Sequence, residues 1–257
     1  MSKEKIETVN QKYYNQLYED KNPLLHLVHS IVSFDQQAKS KPNWHLLRSF
    51  VSKDLPSFKM LDYGSGWGTF LLKLPRPTVA YCFDLSHHAM SAVQKAHALL
   101  GRRVELAEID QENNITPKEF DLIVCSHVLE HVPDDLKLLQ KFSQALKPKG
   151  LVLINVPINE TWYDPKHIRA YTKPDLHEKL CQAGFKPVAE NQVDKWTGFL
   201  LERELDPYGI PIVSRILLRI VRLILALTPL QLTQKFEDLF LAHRPFQQLL
   251  IIGQKIS

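Results

Sequence analysis

The stretch 59–70, KMLDYGSGWGTF, constrains this chain more than any other. A short apolar push, Met60 and Leu61, ends in Asp62, and Gly64, Gly66 and Gly68 follow at alternate positions. Apolar residues resume at Phe70. The pattern predicts a strand, a tight turn and the start of a helix. Glycine accepts positive φ and lets backbone come close to a ligand. A helix start offers free N–H groups and a positive dipole end. The turn therefore suits a ligand that carries a carboxylate or phosphate. Its spacing is G-x-G-x-G, not the G-x-G-x-x-G of the dinucleotide fingerprint. Taken alone, an ordinary strand-to-helix turn would read the same. Asp84 adds weight: it stands 20 residues past Gly64 and closes a second apolar run. Doubly wound nucleotide folds place a ribose-binding acid at about that point.

Beyond the turn the chain alternates. Strands are predicted at 59–63, 78–83, 103–107, 120–126, 151–156, 185–191 and 249–253. Ser86 caps a helix that stops at Gly101, Pro133 opens another, and Thr172 with Asp175 caps a third that ends at Gly184. Strands alternating with helices predict an α/β protein, with a largely parallel sheet covered on both faces. Ligands of such sheets bind at the carboxyl ends of the strands. Residues 1–57 read as covering helices, the third of them at 44–51. Residues 58–193 and 249–257 form the ligand-binding domain.

The 55 residues 194–248 are far longer than the ~2–6 residues of a usual connection, so they read as an insertion. Its core, 212–227, carries Arg215, Arg219 and Arg222 on one helical face among apolar residues. A second helix follows Thr228 and Pro229. Three readings stay open for this hairpin. It packs on the covering helices and roofs an acceptor pocket, it lies in a membrane interface with its arginines at the headgroups, or it forms a homodimer contact.

Net charge is only +4, from 32 basic and 28 acidic residues, which argues against nucleic acid as a partner. The polar first residues show no secretory signal, and no uncharged apolar run is long enough to span a bilayer. Cys82 and Cys125 fall in predicted strands and Cys181 stands apart, which fits a reduced, cytoplasmic protein. The membrane reading of the insertion would make it peripheral at the inner membrane face.

Four separated pieces together resemble the class I methyltransferases that use S-adenosyl-L-methionine. LDYGSGWG is similar to their first motif, Asp84 to their second-strand acid and Asp110 to the acid after their third strand; SHVLEHVPD after FDLIVC is similar to their fourth-strand motif. The resemblance covers residues 59–185 and the last strand. It implies a Rossmann-like seven-stranded sheet with the last strand antiparallel. It also implies that Gly64, Ser65 and Gly66 cradle the methionine end of the cofactor, with Asp62 beside them. Asp84 would take the ribose hydroxyls next to Leu85, since a carboxylate is the natural two-acceptor partner of a diol. Asp110 and Gln111 would meet the adenine, and Ser126 and His127 would lie under the sulfonium. Tyr13 and Tyr14 resemble N-terminal tyrosines that close over the cofactor, although packing of a covering helix explains them equally.

The string His127-Val-Leu-Glu130-His131 is also a zinc-peptidase pattern, H-x-x-E-H. That pattern needs its histidines on one face of a long helix, whereas here Pro133 opens the helix only afterwards. Within the methyltransferases the sequence most resembles the ubiquinone-biosynthesis O-methyltransferases, whose Glu-x-x-Glu-His run holds a divalent metal. His127 replaces the first glutamate, and hard ions prefer oxygen, so no metal is assigned. His131 is the candidate general base or hydrogen-bonding group for an acceptor. His167, in the loop 162–171, is its rival, and Arg169 and Tyr171 are candidate substrate contacts; bracing of the loop explains His167 and Arg169 equally. His87 and His88 read as solvated. The expected activity is methylation of a hydrophobic or lipid-like small molecule, at oxygen. The alternatives are N-methylation of a small amine and a cofactor-binding scaffold without catalysis.

Overall fold

The computed structural model describes residues 3–256, apart from 20–21, 52–57, 76–77, 113, 161–163, 165 and 205–211; the side chains of 3–10, 204 and 212–214 are also outside the description. Three helices come first: α1 (Lys3–Tyr18), α2 (Pro23–Val32) and α3 (Phe34–Leu47). The alternating part runs β1 (Lys59–Tyr63), β2 (Val79–Phe83), α4 (His87–Ala98), β3 (Val104–Leu106), β4 (Glu108–Ile109), β5 (Ile115–Thr116), β6 (Phe120–Ser126), α5 (Asp135–Ala145), β7 (Leu146–Pro157), α6 (Lys173–Gln182) and β8 (Phe185–Val193). Then come α7 (Trp196–Glu204), α8 (Ile212–Leu227), α9 (Leu230–Phe240) and β9 (Gln248–Lys255).

Seven strands form one sheet in the order β3-β2-β1-β6-β7-β9-β8. β9 runs antiparallel to both its neighbours, and the remaining pairings are parallel. This is the sheet that the sequence predicts. Its middle strands are apolar on both faces because helices cover both. Within β1, Met60 joins the cluster with Cys82, Val124 and Leu153 on one side, while Leu61 joins Ile123, Phe142 and Ile154 on the other. That is the two-residue alternation of a strand expressed as two cores. The strand order reverses at β1, between β2 and β6, so a crevice opens over the carboxyl ends of these strands.

The caps explain the helix positions. Ser86 Oγ accepts the Ala89 N–H at the start of α4. Thr172 and Asp175 form a reciprocal capping box at α6. Asn22 caps α2, with Pro23 in the first turn where its missing N–H costs nothing.

Four features differ from the sequence expectation. Only a four-residue 3-10 turn, Phe70–Lys73, follows the glycines in place of a helix. The third covering helix is not at 44–51 but spans Phe34–Leu47, starting directly after α2. β4 and β5 form a separate antiparallel pair that was not expected, and α7 adds a third helix to the insertion. α3 was hard to see because it serves two surroundings. Phe34 packs with Leu200, Leu225 and Ala226 from α7 and α8, whereas Asp35, Lys39, Ser40 and Asn43 line a cavity. A helix flanked on both sides has no single apolar stripe.

Candidate active site

Two groups of residues line one cavity of about 990 Å³ over the strand-order reversal. The first is the glycine turn with the end of β2. Gly64 and Gly66 have φ 76° and 48°. A Cβ on Gly64 would sit 2.2 Å from Val128 Cγ2, and one on Gly66 would sit 2.9 Å from the Tyr18 hydroxyl. The N–H groups of Gly64 and Ser65 donate to the Phe83 carbonyl at 2.7 and 3.0 Å, tying the turn to β2. Gly66 N–H donates to Asp84 Oδ2 and Ser86 N–H to Asp84 Oδ1, both at 2.9 Å. Backbone thus holds each carboxylate oxygen, and each keeps acceptor capacity toward the cavity. Burial lifts the Asp84 carboxyl above its usual range, opposed by the Ser86, Gly66 and Leu85 N–H groups. Behind it, burial and then the Asp84 charge push Asp62 up to about 7. Ser65 and Leu85 complete this part of the lining.

The covering helices clamp the same turn. The Trp67 carbonyl accepts from Ser30 Oγ at 2.7 Å and from His26 Nε2 at 3.0 Å. The Trp67 ring packs against His29, with centroids 4.0 Å apart, and edge-on to Tyr18. Burial, despite the Trp67 carbonyl, lowers His26 to about 4, so it stays neutral and donates. Tyr14 lines the cavity from α1, its phenol raised by burial and then by the charges of Asp84 and Glu130.

The second group follows β6. Ser126 ends the strand, and its buried hydroxyl has no hydrogen-bond partner among the described residues. His127 takes φ 55°, a left-handed conformation costing a non-glycine residue roughly 1–3 kcal/mol. Its N–H donates to the Asn155 carbonyl at 2.8 Å, which helps to hold it there. Its Nε2 donates to Gln248 Oε1 at 3.4 Å; the same oxygen accepts from Asn155 Nδ2, and Gln248 Nε2 donates to Asp194 Oδ2 at 2.7 Å. Burial and then Lys39 keep His127 below the ordinary histidine value.

A short turn, Leu129–His131, then sets Glu130 inside with 0% exposure. Neither of its oxygens finds a well-formed hydrogen bond among the described residues. His127 Nδ1 stands 3.5 Å from Oε1 and His131 Nε2 4.0 Å. Burial works to raise this carboxyl, but the two histidines hold it below its usual range. An ionised carboxylate so placed calls for a donor from the cavity side. His131 Nδ1 donates to the Lys166 carbonyl at 3.0 Å, so Nε2 is the ring nitrogen on the Glu130 side. His167 Nδ1 donates to Glu160 at 2.9 Å, and its ring packs edge-on to His131 with centroids 4.9 Å apart. Burial works to lower His167, yet the Glu160 hydrogen bond and the charges of Glu130, Glu160 and Asp164 raise it overall. Ligand atoms of Glu130, His131 and His167 lie within 4.8 Å of one another.

Four residues singled out in the sequence are not brought to the cavity. Asp110 instead accepts the Asn114 N–H at 2.8 Å, closing the β4–β5 turn, and Gln111 is exposed on that turn. Ile109 supplies the lining there. Arg169 turns to Asp135 at 3.0 Å and to the Pro133 carbonyl at 2.9 Å. Tyr171 is buried, and its hydroxyl donates to Asp135 at 2.7 Å. Both brace the start of α5, and neither lines the cavity. Trp162, Tyr163 and Pro165 of that loop lie outside the described residues. α8 does not roof the cavity either: none of its described side chains lines it, and α3 stands between. Lys39, Asn155, Gln248 and Asp194 were not singled out. Asn155 carried a signal, an amide within the apolar run LVLINVP, because a buried polar side chain needs partners.

The methyltransferase-domain family matches residues 34–190, more than half of the chain, and the chain belongs to that family. It is 33% identical over 118 residues to the ubiquinone biosynthesis O-methyltransferase of Leptothrix cholodnii, covering 44% of this chain and 48% of that one. The chain thus spans about half the length of that curated relative. Among solved structures it is similar to the Burkholderia thailandensis 1,6-didemethyltoxoflavin-N1-methyltransferase, solved with S-adenosylhomocysteine (TM-score 0.60, 16% identity, 100% and 92% of the two chains). It is also similar to the cyclase SpnF (TM-score 0.53, 18% identity, 78% and 76% covered). Identities this low establish the fold, a Rossmann-like methyltransferase α/β architecture.

Proposed function

We propose that the protein is an S-adenosyl-L-methionine-dependent methyltransferase that methylates an oxygen of a hydrophobic or lipid-like small molecule. Support comes from one observation above all: the pinned carboxylate of Asp84 and the Glu130–His131 pair line a single cavity. The residues present fit the cofactor. Gly64 and Gly66 leave bare backbone where a Cβ would collide, and Ser65 lines the cavity between them. Gly64, Ser65 and Gly66, with Asp62 beside them, would hold the methionine end. Asp84 would take the ribose diol next to Leu85, Tyr14 would cover it, and Ser126 and His127 would flank the reacting end. When bound, the cofactor supplies a methyl group already activated on a cationic sulfur.

The chain's own task is then to orient an acceptor and accept a proton. Orientation of this kind can lower a barrier by ~7–11 kcal/mol in favourable cases. His131 Nε2 would receive the proton of an acceptor hydroxyl. Its Nδ1–H stays on the Lys166 carbonyl, and the Glu130 carboxylate, 4.0 Å from Nε2, gives the imidazolium a counter-charge. A base so placed contributes a factor of ~10²–10⁴. His167, raised despite burial above the ordinary histidine value by the Glu160 hydrogen bond, fits a polarising role better than that of base. Incubation with methyl-labelled cofactor and a panel of phenols, polar lipids and amines tests this reading. Label in a phenol or lipid hydroxyl supports it. The buried Glu130 carboxylate also suits an ammonium group, so label in amines alone would support N-methylation instead. Cofactor binding with no transfer to any acceptor would support a scaffold.

A further inference from the structure

The insertion helices α8 and α9 leave much apolar surface uncovered. Ile216, Leu217, Ile220, Leu223, Ile224 and Leu227 of α8 are between 43% and 59% exposed. At 100° per residue they form one continuous stripe. Its opposite side is the seated one, where Leu225 and Ala226 pack with Phe34 and Leu200. The arginines run along one edge of the stripe: Arg215 and Arg219 are exposed, while Arg222 folds back over the Phe34 ring and toward Asp35. α9, two residues further on, exposes Leu232, Phe236, Leu239 and Phe240, the two rings stacked. α2, which packs against α8, also exposes Leu24, Leu25, Val28 and Ile31.

We propose that this face docks in the plane of an anionic phospholipid bilayer, its apolar stripe at the headgroup–acyl boundary and Arg215 and Arg219 among the headgroups. Length excludes the alternative of crossing. Sixteen residues at 1.5 Å each give about 24 Å, short of the ~30 Å hydrocarbon core. No helix among the described residues is long and apolar enough to span. Charge selects the occupant: α8 holds three arginines and no acid, which complements an anionic surface. α9 adds exposed Lys235 and Asp238, which offset each other. A second copy fits less well, because antiparallel pairing of two α8 helices about a two-fold axis sets their arginine edges side by side. α3 links this face to the cavity, since it carries α8 on one side and lines the cavity on the other.

The inference does not rest on the methyltransferase reading, and vesicle binding is measured without cofactor. Co-sedimentation of the full chain with vesicles of phosphatidylcholine alone, and with phosphatidylglycerol added, is the test. The anionic vesicles should pellet the protein more strongly. Arg215→Gln with Arg219→Gln should weaken that preference by about fivefold per arginine. Ile220→Glu with Ile224→Glu, both at exposed positions, should lower binding to either vesicle about a hundredfold or more. Near-ultraviolet circular dichroism shows that each variant is folded. Failure of the parent to bind anionic vesicles, or equal binding by the folded Glu variant, overturns the proposal. So does a stable parent dimer that the Glu pair dissociates, which would assign the face to a second copy.

Discussion

The two sides of the cavity are built differently. On the glycine-turn side, both oxygens of Asp84 are held by backbone N–H groups and the turn is clamped through Trp67. On the β6 side, Glu130 is fully buried, yet neither of its oxygens has a well-formed hydrogen bond among the described residues, nor does the Ser126 hydroxyl. The difference teaches how one fold divides its work. A preorganised cradle can hold a ligand common to a whole family. Groups that await a donor suit a second reactant that changes from one member to the next.

Substitutions can break this comparison, and the largest effect belongs to the unsatisfied side. Glu130→Gln and His131→Ala should each slow methyl transfer by about 10²–10⁴ while S-adenosylhomocysteine affinity stays within about threefold. An equal loss of affinity would merge the two sides. Next comes pH. Asp62 is raised to about 7 in the fold, against an ordinary carboxylate value when unfolded. The folded state therefore binds more protons between these values, and stability falls as pH rises from about 4 through about 7, by up to roughly 4 kcal/mol. Denaturant titrations across that window should show the slope, and Asp62→Asn should flatten it.

Gly64→Ala should cost about 2–4 kcal/mol, from its positive φ and the collision with Val128. Adding Val128→Ala should recover the collision part only, as a double-mutant cycle in denaturant would read. The smallest effect sharpens the boundary of the site. Arg169→Ala should cost about 1–3 kcal/mol in stability, since Asp135 keeps Lys179 and Tyr171. Acceptor KM should be unchanged, and a rise in KM at unchanged stability would restore Arg169 as a substrate contact.

Much of this architecture can be read from residues alone, where one physical demand dominates. β6 and β9 are apolar because both faces are covered, and Ser86 and Thr172 mark helix starts by chemistry that works locally. Reading fails where a segment answers two demands. α3 seats α8 and lines the cavity, so its pattern averages out. The β4–β5 pair is too short to show a period, and its turn takes the carboxylate of Asp110 away from the cavity. Arg169 and Tyr171 looked like rim residues because their partner, Asp135, lies on another element. Glu130 and His131 stand out as a string, but that neither Glu130 oxygen has a well-formed hydrogen bond among the described residues is visible only in three dimensions.

The most direct test is calorimetric titration of the parent protein and of Asp84→Ala with S-adenosylhomocysteine. Loss of two charged hydrogen bonds to the ribose predicts saturable heat for the parent and an affinity at least about a hundredfold weaker for the variant. No heat with the parent, or equal affinity for both proteins, would contradict the cradle at β1 and β2.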